Sequence, residues 1–384
     1  MEVYFDNSAT TRCYESVRDI VIRTMMEDYG NPSSMHLKGI EAEHYVTDAA
    51  RTIASLLKAQ PKEIIYTSGG TESDNLALYG AAEAYKRAGK HIITTRVEHP
   101  AVMNPAAFLE KQGFEVTYLP VDSCGVVHPE TVAEALREDT ILVSVMYVNN
   151  ETGSVMPVEE TARVVHEKSP KAVFHVDAVQ AFGKYRIFPA KTGIDLMSVS
   201  GHKIHGPKGT GFLYIRDGVR VVPQMLGGGQ QNGMRSGTDN VPGIAGLACA
   251  AEQIYRDLDA SCERMYAIKE RLAEGLAGLG GVHINGCALR DAAPHIMSVT
   301  FEGIRSEVLL HALEEKGIYI SAGSACSSHK RKPSAVLSAM GLPKAHIEST
   351  VRISLCEENT LQEADYFLEV INETVPLLRR FTRR

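Results

Sequence analysis

Five apolar runs in this chain end in polar residues of types that do chemistry. KEIIYTS leads into Gly69, Gly70 and Thr71, where a helical pattern begins. HIITTRV is followed by Glu98 and His99, and ILVSVMYV by Asn149 and Asn150. AVFHV is followed by Asp177 and Gln180, and DLMSVS by His202 and Lys203. Glycines at a helix start leave backbone N–H groups and the positive end of the helix dipole open, which suits a phosphate; an ordinary helix cap uses the same residues. Asp177 follows an apolar strand and needs a cationic partner, either a protonated ring nitrogen or a nearby Arg or Lys. Lys203 lies just past a buried strand, where desolvation lowers an amine's pKa and favours capture of an aldehyde; a lysine in a turn is otherwise solvated. His99 offers a flat ring or a proton shuttle. A phosphate cradle, an aspartate for a ring nitrogen and a lysine for an aldehyde are what pyridoxal 5'-phosphate asks for.

The elements that must carry these residues alternate. From about residue 45 to 215, short runs apolar on both faces are separated by helical patterns such as TESDNLALYGAAEAYKRAG and VEETARVVHEKS. That predicts an α/β fold with a mostly parallel sheet covered by helices. Ligands bind such sheets beyond the carboxyl ends of the strands, and all five polar groups fall there. After the glycine-rich stretch Met225–Gly243, apolar spacings of three and four predict one long helix from about Ile244 to Leu279. The remaining strands and helices predict a smaller α+β domain, with the border inside that helix near residue 260.

The chain has 384 residues, 44% hydrophobic and 23% charged, which is globular composition with ample length to bury its cores. A net charge of -7 gives no electrostatic case for stable nucleic-acid binding; the basic stretch LLRRFTRR reads as a helix end favoured by the dipole. No apolar run is long enough to span a membrane, and MEVYFDNSATTR lacks a signal-peptide pattern. Seven cysteines, at 13, 124, 249, 262, 287, 326 and 356, show no CxxC spacing. They fit reduced thiols in a cytoplasm, and no metal site is expected.

One of the seven, Cys326, sits in SAGSACSSHKRKPSAV, among small residues and before the basic run His329–Lys332. The stretch alone leaves packing, a disulfide, a metal ligand and a nucleophile all open. The remaining cysteines read as packing residues, Cys356 among them as part of a strand.

Taken in order, TSGGTESDN, VEHPAV, YVNNETG, HVDAVQ, SGHKIHGPKG, GGGQQNGMRSGT, SAGSAC and VRISL resemble the successive motifs of cysteine desulfurases of the iron–sulfur-cluster (nitrogen-fixation) type, within the class V aminotransferase superfamily. The opening YFDNSATT fits as well. The resemblance implies the type I fold of pyridoxal-phosphate-dependent transferases. Its large domain, residues 15–260, would hold a seven-stranded sheet and the cofactor. Residues 1–14 and 261–384 would form the small domain with the cysteine loop.

It also implies roles. Lys203 would hold the cofactor covalently, Asp177 would pair with its ring nitrogen and Gln180 with its phenolic oxygen. His99 would stack on the ring and serve in acid–base steps. Gly70, Thr71, Ser200 and His202 would bind the phosphate. Thr238 would reach the phosphate site of a neighbouring subunit, making the enzyme a homodimer. Asn150, which also contacts the cofactor, and Arg352 would hold the carboxylate of L-cysteine, and Cys326 would take its sulfur as a persulfide. A sulfur-acceptor protein, such as an iron–sulfur scaffold, is the expected partner, with tRNA thiolation or other thio-cofactors as further destinations. The small residues around Cys326 predict a loop that swings, and the basic run a lowered thiol pKa. An aminotransferase would not need this cysteine, and an idle binding module would not need Lys203, Asp177 and His99 together.

Overall fold

The computed structural model describes residues 1–322 and 333–382. In chain order its strands are β1 (Val3–Tyr4), β2 (Ile64–Thr67), β3 (His91–Thr95), β4 (Glu115–Leu119), β5 (Thr140–Met146), β6 (Val173–Asp177), β7 (Leu196–Ser200) and β8 (Gly211–Ile215). There follow β9 (Val282–Asn285), β10 (Ile296–Phe301), β11 (Ile318–Tyr319), β12 (Ser321–Ala322) and β13 (Thr350–Ser354). Seven of them form one sheet in the order β2-β8-β7-β6-β5-β3-β4. Its neighbours pair in parallel except β8, which is antiparallel to both β2 and β7.

The apolar runs form strands because both faces of the sheet are covered, so successive side chains find cores on opposite sides. Ile92, Leu142, Val173, Leu196 and Leu213 point into one layer, with Leu76 and Leu78 of the helix Gly70–Tyr85 and Val102 of Pro100–Lys111. Their neighbours Ile93, Val143, Phe174, Met197 and Phe212 point into the other, against Val165 of Val158–Lys168 and Leu247 of Val241–Arg256.

The smaller C-terminal domain has its own antiparallel sheet, in the order β12-β13-β10-β9. Its core joins Phe301 of β10 to Leu272 of the helix Leu258–Ala277 and Phe367 of the helix Leu361–Thr382. The chain start belongs to this core too: β1 pairs with β11 and Phe5 is fully buried.

Three details differ from the sequence reading. The helix expected from Ile244 to Leu279 is two helices, broken at Asp257 (φ −120°, ψ 30°). Apolar periodicity runs through the break and does not register it. Two helices, Glu15–Met26 and Leu37–Leu57, precede the first β/α unit, where only the later part of the second was anticipated. The strand β9 was not anticipated either, because it is a half-exposed edge strand without an apolar run. No helix among the described residues is long and apolar enough to cross a membrane.

Candidate active site

β2, β3, β5, β6 and β7 point the same way, so their polar ends share one edge of the sheet. At the end of β2, Gly69 caps the helix Gly70–Tyr85 with φ +145°, a conformation that favours glycine. A Cβ on Gly70 would lie 2.6 Å from Val179 Cγ2 and 3.6 Å from Ser200 Cβ, so this helix start abuts the ends of β6 and β7. Thr71 is exposed in its first turn. The neighbouring carboxylate of Glu72 would repel an anion there, but Arg235 neutralises it at 2.9 Å.

Asp177 is buried, and its Oδ1 accepts from Val179 N at 2.9 Å. Burial raises its pKa; the charges of His99 and Lys203 act in the opposite direction. Lys203 Nζ donates to the carbonyls of Ser8 and Ala9, the latter at 2.8 Å. Gln180 Nε2 donates to the same Ser8 carbonyl at 3.0 Å. The N-terminal segment thus gathers Lys203 and Gln180, and His202 Nδ1 lies 3.2 Å from Thr10 Oγ1. Burial, with the charge of Lys203, pushes the His202 pKa down to about 4, so its ring is neutral.

His99 caps the helix Pro100–Lys111, its Nδ1 accepting from Ala101 N at 3.1 Å. Burial lowers its pKa, Asp177 opposes this and Lys203 adds to it. In its neutral form the ring carries its proton on Nε2, because Nδ1 accepts from Ala101 N.

The small domain contributes Arg352 from β13. Its Nη2 is 2.7 Å from Asp6 Oδ1 and its Nη1 donates to the Asn150 carbonyl at 2.9 Å, while its buried Nε has no hydrogen-bond partner among the described residues. Asn149 fixes the turn that presents Asn150: its amide donates to Val97 O at 2.9 Å, and its carbonyl accepts from Glu151 N at 2.9 Å. A guanidinium with such a free edge suits a planar carboxylate. Thr238 is exposed in this single chain, on the loop that Arg235 pins to Glu72. Cys326 and the run His329–Lys332, with the expected swing and thiol tuning, lie outside the described residues.

The sequence reading noted Glu98 without a role and missed Asp74 beneath this edge. Both are buried within electrostatic reach of Asp177. Burial, with the charge of Asp177, raises the Asp74 pKa well above the carboxylate range, and Ser198 hydrogen-bonds to its carboxyl. His175 runs between Ser144 Oγ (2.8 Å) and Ser198 Oγ (3.0 Å), and burial pushes its pKa down to about 3. Three buried carboxyls do not all ionise together, and of the three only Asp177 has cations, His99 and Lys203, favouring its charged form. Glu151 was missed as well: its carboxylate accepts from Ser334 Oγ at 2.5 Å. Burial raises its pKa to about 7, while Ser334 and Arg352 oppose that rise. A polar pair on the buried side of a helix, Ser73-Asp74, was the sequence signal for the first group; Glu151 and Ser334, far apart in the chain, gave none.

The aminotransferase class-V family profile matches residues 3–367. A cysteine desulfurase IscS from Methanosarcina thermophila is 46% identical over 99% of this chain and 93% of its own. A solved NifS-like protein superposes with a TM-score of 0.93 at 43% identity, covering 98% of this chain and 100% of that one. SspA, solved in complex with cysteine, gives a TM-score of 0.82 at 36% identity over 93% of this chain and 99% of its own. The chain therefore belongs to the class V aminotransferase family, and within it to the cysteine desulfurases of the NifS/IscS kind.

Proposed function

We propose that the chain converts L-cysteine to L-alanine with pyridoxal phosphate and takes the sulfur onto Cys326 as a persulfide. The observation that carries this is the convergence of Asp177, His99 and Lys203 at one sheet edge, with Arg352 and the Asn150 turn beside it. The residues fit the cofactor. Asp177 is a buried carboxylate whose neighbouring acids are neutral, and a ring N–H⁺ is the partner such a group needs. Glycine at position 70 lets the helix start pack against the ends of β6 and β7, which brings its N–H groups beside Ser200 for a phosphate.

On this reading Lys203 would hold the cofactor through its aldehyde and Gln180 would bind its phenolic oxygen. His99 would cover the ring, and Gly70, Thr71, Ser200 and His202 would hold the phosphate. The bound cofactor supplies an electron sink for the substrate's α-carbon. Arg352 and Asn150 orient the substrate carboxylate. Lys203 and His99 move protons at the α-carbon and at the departing amino acid. The Cys326 thiolate attacks the substrate sulfur; the new S–S bond forms as the C–S bond breaks, and alanine leaves.

The exposed apolar side chains of Ile22, Met25, Met26, Tyr29, Met35 and Leu37, with Leu226 on the loop that bears Thr238, support a homodimer in which Thr238 serves the other copy. An acceptor protein such as an iron–sulfur scaffold would then receive the sulfur, in the cytoplasm. The helix break at Asp257 supports a domain border near residue 260. The test is mass spectrometry after L-cysteine. A sulfur adduct mapped to Cys326 and absent from Lys203→Ala supports the reading; an adduct that persists in Lys203→Ala overturns it.

A further inference from the structure

The loop that follows β7 carries a second polar cluster, which the chemistry above does not use. His205, a Cys356 thiol and a Glu357 carboxylate oxygen place one donor atom each within 4.8 Å of one another. His205 and Cys356 are buried, and the Glu357 side chain is 14% exposed. The imidazole is fixed from its far side: Nδ1 lies 2.7 Å from the Arg12 carbonyl, which can only accept, so Nδ1 holds the proton. The Tyr14 ring stacks on it at 4.4 Å and donates its hydroxyl to Glu357 Oε1. His205 Nε2 then stands 3.2 Å from Glu357 Oε1 without hydrogen-bond geometry, and it has no other partner among the described residues. Glu357 Oε2 is buried and unpartnered too. Two lone pairs facing each other at that distance repel unless a cation lies between them or the ring gains a proton.

We propose that His205, Cys356 and Glu357 form a zinc(II) site that staples the Lys203 loop to the end of β13. One imidazole, one thiolate and one carboxylate are a donor set that suits zinc, and the carbonyl on Nδ1 is the outer partner that orients a histidine ligand. Tetrahedral zinc holds its ligand atoms roughly 3.3–3.8 Å apart, so the imidazole–carboxylate pair is already placed and the thiol must close in by about 1 Å. The three side chains leave the fourth position to a water molecule. Burial, and then Glu357, push the Cys356 thiol up to about 12, so the metal must displace a proton. Burial works against ionising Glu357, but in the metal-free site a cationic His205, with Lys184 and Tyr14, would outweigh it and hold the carboxyl well below its usual range. The buried Lys184 amine thus balances Glu357 when the site is metal-free. Lys203 lies two residues before His205, and Arg352 four before Cys356. The metal would therefore tie the cofactor-bearing loop to the strand that holds the substrate arginine.

The test uses the full chain with its cofactor and with Cys326→Ala, which removes the nucleophilic thiol as a competing ligand. After chelation and dialysis, Zn²⁺ alone is added in one arm and Co²⁺ alone in the other. Expected are about one retained zinc per chain, a raised melting temperature, and tetrahedral d–d bands with thiolate charge transfer for cobalt. Zinc affinity should rise roughly tenfold per pH unit. Cys356→Ser should remove the thiolate bands and weaken zinc at least about 100-fold; Glu357→Gln should weaken it about 10- to 100-fold. No retained zinc with no thermal shift overturns the proposal in favour of an imidazolium–carboxylate ion pair. Thiolate bands that survive Cys356→Ser overturn it as well. If Cys356→Ser does not fold, the parent protein decides: cobalt bands without thiolate charge transfer overturn the site.

Discussion

Glu98→Gln should change how stability depends on pH, and in a direction opposite to the ordinary acid denaturation of carboxylates. Glu98 is buried, and burial pushes its carboxyl from an ordinary 4.5 up to about 8, against the hydrogen bonds of Met146 N and Thr95. The folded state thus holds a proton that the unfolded state releases. Stability from this group is fully present below the unfolded pKa and is lost as pH rises through the folded one. Between about pH 5.5 and pH 7.5, linkage with these two values removes about 2.5 kcal/mol from the wild type. In Glu98→Gln that slope is absent. The amide keeps the acceptor that takes Thr95 Oγ1 at 2.8 Å and Met146 N at 3.0 Å. Its NH₂ replaces Oε2, which has no partner among the described residues, at a pH-independent cost of about 1–3 kcal/mol. His175, kept neutral by burial, contributes the opposite slope, but equally in both proteins, so the difference between variants isolates Glu98. The assay is the urea midpoint of both cofactor-loaded proteins at the two pH values, with equal m-values as a control. The variant should gain about 2.5 kcal/mol on the wild type at the higher pH. Parallel pH profiles would refute the buried, protonated Glu98.

Gly70→Ala should destabilise by about 1–3 kcal/mol, because its Cβ would sit 2.6 Å from Val179 Cγ2. Adding Val179→Ala should return much of that loss, and a double-mutant cycle without coupling would count against the contact. Arg235→Ala leaves Glu72 without its counter-charge at the helix start, so the dissociation constant for pyridoxal phosphate should rise about tenfold. Glu72→Gln in the same chain should restore it; failure to do so would assign Arg235 a different role. Glu151 titrates near 7 beside Arg352, so Glu151→Gln should lower KM for L-cysteine several-fold above about pH 8 and leave it unchanged below about pH 6. A KM ratio that is the same at both pH values would refute this electrostatic account.

What could be read from the sequence was what chain continuity encodes. Each apolar run turns polar within a few residues at a strand end, and a parallel sheet forces those ends to one edge, so Asp177, His99 and Lys203 could be grouped before any contact was known. Contacts that close across the chain left no such trace. The Ser8 carbonyl that gathers Lys203 and Gln180 is a backbone atom and has no residue type to notice. Ser334 and Glu151 are 183 residues apart, and each alone is an ordinary polar residue.

Asp74 shows a different limit. Its residue was inside a motif that could be quoted, yet its state depends on its surroundings. The same carboxyl on a surface would be charged; packed between Ser198 and the field of Asp177 it stays neutral. That neutrality leaves Asp177 as the acid favoured to carry charge at this sheet edge. Replacing Asp74 by an apolar residue would keep the charge count but remove the acceptor that Ser198 uses, and Ser198 in turn holds His175, two residues before Asp177 on β6. The motif therefore points to the aspartate proposed for the cofactor. The packing under it determines that this aspartate, rather than its neighbours, has cations favouring its charged form.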